Sequence, residues 1–148
     1  MVEAMSGANV WVKATRSMVG IALGYLIFVI GAWVVQEALL GGVGFHDDLT
    51  TILLAGILTP VAAAVGAIVT VSIAGRHPWL HLIPMFTLIV AETTYLYTQG
   101  RVDGPLWFET AAGASLIAGG IIGAMVWELI LKRHWTDRYR RIGARFRT

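Results

Sequence analysis

The sequence predicts an all-α integral membrane protein: a four-helix up-down bundle with both termini in the cytoplasm and a short basic amphipathic C-terminal helix. The chain of 148 residues is 57% hydrophobic and 14% charged, whereas soluble domains carry about a quarter charged residues. Its apolar residues form four blocks, each close to the ~20 residues that cross a bilayer core. Basic residues flank the blocks on alternate sides, as they do in membrane proteins that cross back and forth.

The blocks place four spans in one domain, residues 1–131, followed by a basic tail at 132–148. Between the first two spans lies a Gly-rich, acidic connection in which Asp48 or Thr50 can cap the next helix. The second connection is a tight turn ending in Pro78, which suits the first position of a helix. The predicted spans are about 17–40, 51–74, 80–98 and 106–131.

Small residues at a spacing of four allow membrane helices to approach closely. The first span carries Gly20 and Gly24 at this spacing, and the fourth carries Gly119 and Gly123 with Gly120 beside them. We predict that these five glycines lie at helix contacts.

The orientation follows from the basic residues, which stay on the cytoplasmic side of a span. Seven of the eleven Lys and Arg lie in the tail, and Lys13, Arg16 and Arg76 would share its side, leaving only Arg101 outside. We therefore expect both termini and the second connection to lie on the cytoplasmic side.

The tail has aromatic residues at helical spacing, with basic residues mostly elsewhere, which is typical of a helix lying on an anionic lipid surface. We expect it to bind anionic lipids rather than nucleic acid, because it directly follows a span. The residues predicted to contact the membrane surface are Arg138, Arg140, Arg141 and Arg145.

The third span has one polar stripe and one apolar face when it is drawn as a helix. We predict that the stripe faces protein and that the apolar face meets lipid. The stripe comprises His81, Met85, Leu88, Glu92, Tyr95 and Gln99, and the apolar face comprises Leu82, Phe86, Ile89, Val90 and Leu96.

Glu92 lies thirteen residues after Trp79, about 20 Å along the helix and well inside the membrane. An ionised carboxylate there is costly, so we expect Glu92 to be buried against protein. One interpretation is a proton or cation pathway entered from outside; the other is a protonated Glu92 that bonds a neighbouring helix through Thr59, Tyr95 or a backbone carbonyl. The pathway candidates are Glu92, Glu37, Glu109, Tyr95, Asp47 and Asp48.

We expect no metal site. His77, His81 and Glu128 lie near the cytoplasmic side, but Pro78 sets His77 outside the helix that carries His81, and these residues can instead pair with headgroups or basic side chains. Cysteine is absent, which excludes thiolate ligands and nucleophiles. The cofactor stays open, because a pigment, quinone, haem or lipid could bind among the tryptophans, which more often anchor spans at the interface.

Several landmarks of the chain follow one another in order. They are a basic start, a first span ending near Glu37, then Ala74-Gly75-Arg76, His77-Pro78-Trp79-Leu80-His81 and Pro105-Leu106-Trp107-Phe108. This succession resembles small four-span bacterial inner-membrane proteins without assigned function. The resemblance covers the spans and not the tail. It implies the fold and a location in the plasma (inner) membrane of a bacterium, but no activity.

No catalytic triad, Gly-rich phosphate loop or HExxH pattern is present, so we expect a non-enzymatic protein. Four tight helices with small faces enclose little volume, whereas extra small faces and a polar stripe favour contact with more protein. We expect an accessory or assembly subunit that packs in a homo-oligomer or a larger membrane complex. The alternative is a small proton or cation transporter or channel that uses the outer acidic residues.

Overall fold

The computed structural model describes residues 2–75, 78–102 and 104–131, with side chains described from residue 10 to residue 130. The helices are α1 (Val2–Trp33), α2 (Leu49–Ala74), α3 (Pro78–Thr98) and α4 (Leu106–Val126). A π-helical turn continues α1 over Val34–Leu39, and another continues α4 over Trp127–Leu131. Four helices are long and apolar enough to cross a membrane, which confirms an all-helical chain with four potential spans.

The first helix begins much earlier than the predicted span. We placed its start at residue 17, but α1 begins at Val2, and its membrane-compatible part begins at Val10. The segment before residue 17 contains no proline and only isolated glycine, so nothing in its backbone stops the helix. The helix therefore extends beyond the apolar block.

The central helix is α2, which packs most extensively against α1 on one side and α4 on the other. Within the described residues, α1 and α4 do not pack against each other. Gly24 of α1 faces Gly66 of α2 so closely that a Cβ on Gly66 would lie 2.5 Å from the Gly24 carbonyl oxygen. Gly20 faces Thr70 and Gly31 faces Ala62, so α1 and α2 run antiparallel.

The contact between α2 and α4 is equally close. A Cβ on Gly119 would collide with the carbonyl of Pro60, and one on Gly123 would collide with the carbonyl of Ala64. Residue numbers rise together along this contact, so α2 and α4 run parallel. Side chains larger than hydrogen would push these backbones apart, which is the physical role of small residues in membrane helix contacts.

The face of α3 that packs inward differs from the predicted one. Leu82, Met85 and Ile89 are buried in the core, whereas Leu88 is 44% exposed and Tyr95 is 56% exposed. Of these three buried residues, only Met85 belongs to the polar stripe that we expected to face protein. The absence of a side chain at Gly120 of α4 accounts for this difference in the buried face of α3. The ring of Phe86 lies against Gly120, so the apolar side of α3 packs toward the other helices.

The side chains of Asp48 and Arg16 form hydrogen bonds with backbone groups at the two ends of α2. Asp48 accepts hydrogen bonds from the backbone N–H groups of Thr50 and Thr51, at 3.0 and 3.2 Å, and is the N-cap. At the other end, Arg16 Nη2 donates to the carbonyl oxygen of Ile73 at 3.1 Å. A cation at a helix C-terminus also meets the negative end of the helix dipole.

Candidate functional site

A cavity of about 290 Å³ lies among all four helices. It occupies the half of the protein nearer to the connections 40–48 and 99–105, which we call the acidic end. Glu37 from the π-helical turn after α1, Glu92 from α3 and Glu109 from α4 all line it. The cavity lies beside the earlier turns of α4, which precede Gly119 and Gly123, the two glycines at which α4 meets the backbone of α2.

Glu92 is exposed within the chain, contrary to the prediction that protein buries it. It nevertheless has a partner, because the hydroxyl of Tyr25 donates a hydrogen bond to Glu92 Oε2 at 2.8 Å. The partner is therefore not Thr59, Tyr95 or a backbone carbonyl. Tyr25 packs against the core, with its ring 5.8 Å from that of Phe28, so the hydrogen bond links α3 to a part of α1 that packs in the core.

Thr59 of α2, which lines the same cavity, has an unusual hydroxyl. The residue is only 4% exposed, and its hydroxyl oxygen is buried without a hydrogen-bond partner among the described residues. Other threonines in the spans bond their own helix: Thr70 donates to Gly66 and Thr93 to Ile89. Buried hydroxyls are normally paired, so an unpaired one calls for an explanation.

A second cavity of about 440 Å³ adjoins the first, between α2 and α4. Its walls include Trp107 and Phe108, and the ring of Phe45 packs edge-on against both, with centroids 5.7 and 5.6 Å away. Phe45 of the first connection thus packs on the aromatic residues of the first turn of α4. Residues common to both cavities are Gln36, Thr59, Glu109, Ala112 and Leu116.

Pro60 leaves one backbone carbonyl of α2 without its usual helical hydrogen bond, close to the place where the two cavities meet. Pro60 has no N–H, so it cannot make the helical bond to the carbonyl of Gly56. Gly56 lines the second cavity. A carbonyl that lacks its usual donor is a ready acceptor in a membrane helix.

The other predicted acidic residues serve local structure. Asp47 Oδ2 accepts a hydrogen bond from the backbone N–H of Gly44 at 2.6 Å, and Asp48 caps α2. Hydrogen bonds from Thr51, and then from Thr50, hold the pKa of Asp48 below its usual value. Neither aspartate lines the two cavities, and neither does Tyr95.

The residues that we predicted to lie near the cytoplasmic side do not come together. His81 Nε2 lies 2.9 Å from the hydroxyl oxygen of Ser17, so it joins α3 to α1, and Glu128 lies in the π-helical turn after α4. His77 and the tail arginines fall outside the described residues. Within residues 2–75, 78–102 and 104–131, no three His, Asp or Glu side chains come together to hold a metal ion.

Sequence reasoning missed Tyr25 and Gln36, and it named Thr59 only as a partner for Glu92. Tyr25 could have been noticed, because a phenol in the middle of a span needs a polar partner. No family model, curated protein or solved structure matches this chain. The function must therefore be inferred from the geometry of the cavities. Their carboxylates and hydroxyl can exchange protons, and their carboxylates and aromatic walls can bind cations.

Proposed function

We propose that this is a non-enzymatic integral protein of the bacterial inner membrane that works as a subunit of a homo-oligomer or of a larger membrane complex. In this proposal the helices form an up-down bundle with both termini in the cytoplasm. The antiparallel contact of α1 with α2 and the parallel contact of α2 with α4 support that bundle. Lys13 and Arg16 near one end, and acidic residues at the other, support the orientation.

The observation that carries this proposal is the exposed carboxyl of Glu92 on α3. Leaving a charged side chain among acyl tails costs about 2.5–3.5 kcal/mol on insertion scales. One oxygen bonds Tyr25, but the side chain of Glu92 stays exposed in the single chain, and Tyr95 on the next turn is exposed too. A further membrane helix with hydrogen-bond donors would cover this surface, which we call the α3 surface (Glu92 and Tyr95).

Cysteine cross-linking tests this proposal directly, since the chain has no cysteine of its own. We expect Tyr95→Cys, treated with a short bifunctional thiol or thiol–amine reagent in native membranes, to yield one cross-linked species of defined mass. Leu54→Cys is the matched control, because Leu54 is also exposed but lies on α2. Equal products from both positions, or none from Tyr95→Cys, would contradict assembly through the α3 surface.

A second candidate function is the passage of protons or small cations. It is favoured by the convergence of Glu37, Glu92 and Glu109 on one cavity, because intramembrane acids that face a cavity commonly carry such transport. Liposomes that contain only this protein should then show flux that Glu92→Gln abolishes. Asp48→Asn, which changes an acid outside the cavities, should leave the flux intact.

The tail at 132–148 completes the proposal. Its arginines would bind anionic headgroups on the cytoplasmic face and help to hold the orientation. This part of the proposal depends on sequence alone, since those residues lie outside the described ranges.

A further inference from the structure

We infer that the two adjoining cavities at the acidic end form a binding site for a small organic ammonium ion, a protonated amine with an apolar body. This goes beyond the subunit role and also names a cation class for the second candidate function. Binding to purified protein can be measured without flux or assembly, so this inference can fail while either function stands.

The acidic residues that line the two cavities favour a cation. Glu37, Glu92 and Glu109 reach the cavities from three different helices. Among the described lining residues there is no Lys, Arg or His to neutralise them. Carboxylates in a partly enclosed, low-dielectric space attract a cation far more strongly than they do in water.

The chemistry of the cavity walls favours a larger organic cation over a compact metal ion. No three acidic or histidine side chains of the described chain come close enough to hold a metal. The walls are instead largely apolar and aromatic, with Phe28 and Trp33 in the first cavity and Trp107 and Phe108 in the second. Aromatic faces attract organic cations, and volumes of about 290 and 440 Å³ are in the range of small-molecule sites.

The hydroxyl of Thr59 supports the same ligand independently of the acidic residues. Thr59 lines both cavities, and its buried hydroxyl oxygen has no hydrogen-bond partner in the described chain. An ammonium N–H can donate to this oxygen while its charge faces a glutamate. The ligand should therefore carry at least one N–H, which a quaternary ammonium lacks.

The test uses 2-phenylethylammonium as the probe and 2-phenylethanol as its neutral counterpart. Equilibrium binding to the full chain in mild detergent is followed by calorimetry and by tryptophan fluorescence, since Trp33 and Trp107 line the cavities. We expect the ammonium ion to bind at least about tenfold more tightly than the alcohol, because a charge-assisted hydrogen bond strengthens affinity by roughly that factor or more. The trimethylated analogue, which has no N–H, should bind more weakly than the amine.

Variants assign the site to its residues. Glu92→Gln and Glu109→Gln should each weaken binding of the amine by about 10- to 100-fold, the range for losing a charged hydrogen-bond partner. Thr59→Val should weaken it by several-fold, whereas Thr93→Val should not. Thr93 is the matched control, because it lines only the first of the two cavities and its hydroxyl has a partner of its own, the Ile89 carbonyl.

Several results would overturn the inference. These are the absence of millimolar or tighter binding to folded wild-type protein, equal affinity for the alcohol, and displacement of the amine by millimolar Na⁺ or Mg²⁺. Equal affinities of Thr59→Val and Thr93→Val would also overturn it. Circular dichroism and melting of each variant identify one that fails to fold, and the two glutamate variants then serve as substitutes for each other.

Discussion

Gly24 sits where two helix backbones almost touch. A Cβ at this position would strike the hydroxyl of Thr70 and lie 2.5 Å from the carbonyl oxygen of Gly66. Backbone atoms cannot rotate away as a flexible side chain can, so α1 and α2 would have to separate. The hydrogen at this position thus sets the distance between the two helices.

Gly24→Ala should therefore destabilise the protein by about 1–3 kcal/mol, the usual cost of forcing a methyl group into a filled contact. Denaturant unfolding in mixed micelles measures this change in the free energy of unfolding. Gly56→Ala is the control, because nothing lies within 4 Å of its added Cβ, and alanine is the better helix former by up to about 1 kcal/mol. A Gly24→Ala protein as stable as Gly56→Ala would refute the close contact.

Asp48 gives a prediction that depends on pH. The pKa of this N-cap carboxyl is lowered in the folded protein from its ordinary value of 3.8 by hydrogen bonds from Thr51 and Thr50. A lowered folded-state pKa means that the cap stabilises α2 above pH 3.8 and stops doing so as pH falls through the lower value. Amide protection of Thr50 and Thr51 should accordingly decline on acidification.

Two substitutions of Asp48 distinguish the effect of its charge from the effect of its hydrogen bonds to the start of α2. Asp48→Asn keeps a side-chain acceptor that does not titrate, so protection of the two amides should lose this pH dependence. Asp48→Ala should show low protection at every pH. Protection that rises on acidification, or an unchanged titration in Asp48→Asn, would contradict the assignment.

Among the helices, α3 departs most from the sequence prediction. Its polar residues form a true stripe, but a stripe shows only which residues share a face and not what that face meets. The rotation of α3 depends on Phe86 fitting against Gly120 of α4, a contact between positions that are distant in sequence. The close contacts at Gly20, Gly24, Gly119 and Gly123 lie at glycines whose spacing drew attention to them in advance.

A double-mutant cycle tests the fit of α3 on α4. Gly120→Ala would place a Cβ 2.7 Å from the ring of Phe86, so it should destabilise the protein by about 1–3 kcal/mol. In Phe86→Leu the ring is gone, and adding Gly120→Ala should then cost less. We expect a coupling of about 0.5–3 kcal/mol between the two sites, measured by unfolding of the four proteins. Strictly additive effects would show that the two residues do not touch.

At the scale of the whole molecule, the close contacts and the cavities occupy different parts of the helices. Backbone contacts tie α2 to α1 at Gly24 and to α4 at Gly119, while α1 and α4 stay apart within the described residues. Both cavities are lined by earlier residues of α4. The cluster of glutamates was predictable, since each lies near the same end of its span.

The hydrogen bond from Tyr25 to Glu92 and the unpaired hydroxyl of Thr59 were not predictable from the sequence. Both depend on how far apart the helices lie and how each is rotated, and helical periodicity specifies neither quantity. Asp48 as a cap, by contrast, was predictable, because capping involves only residues next to one another in the chain.

We propose that the α3 surface, with Glu92 exposed on a membrane helix, is covered by another protein subunit. Native mass measurement in mild detergent distinguishes a covered from an uncovered surface. We predict that wild-type protein and Glu37→Gln retain the same partner or copy number, whereas Glu92→Leu shifts toward monomer. A monomeric wild-type protein, or an assembly that survives intact in Glu92→Leu, would contradict the claim.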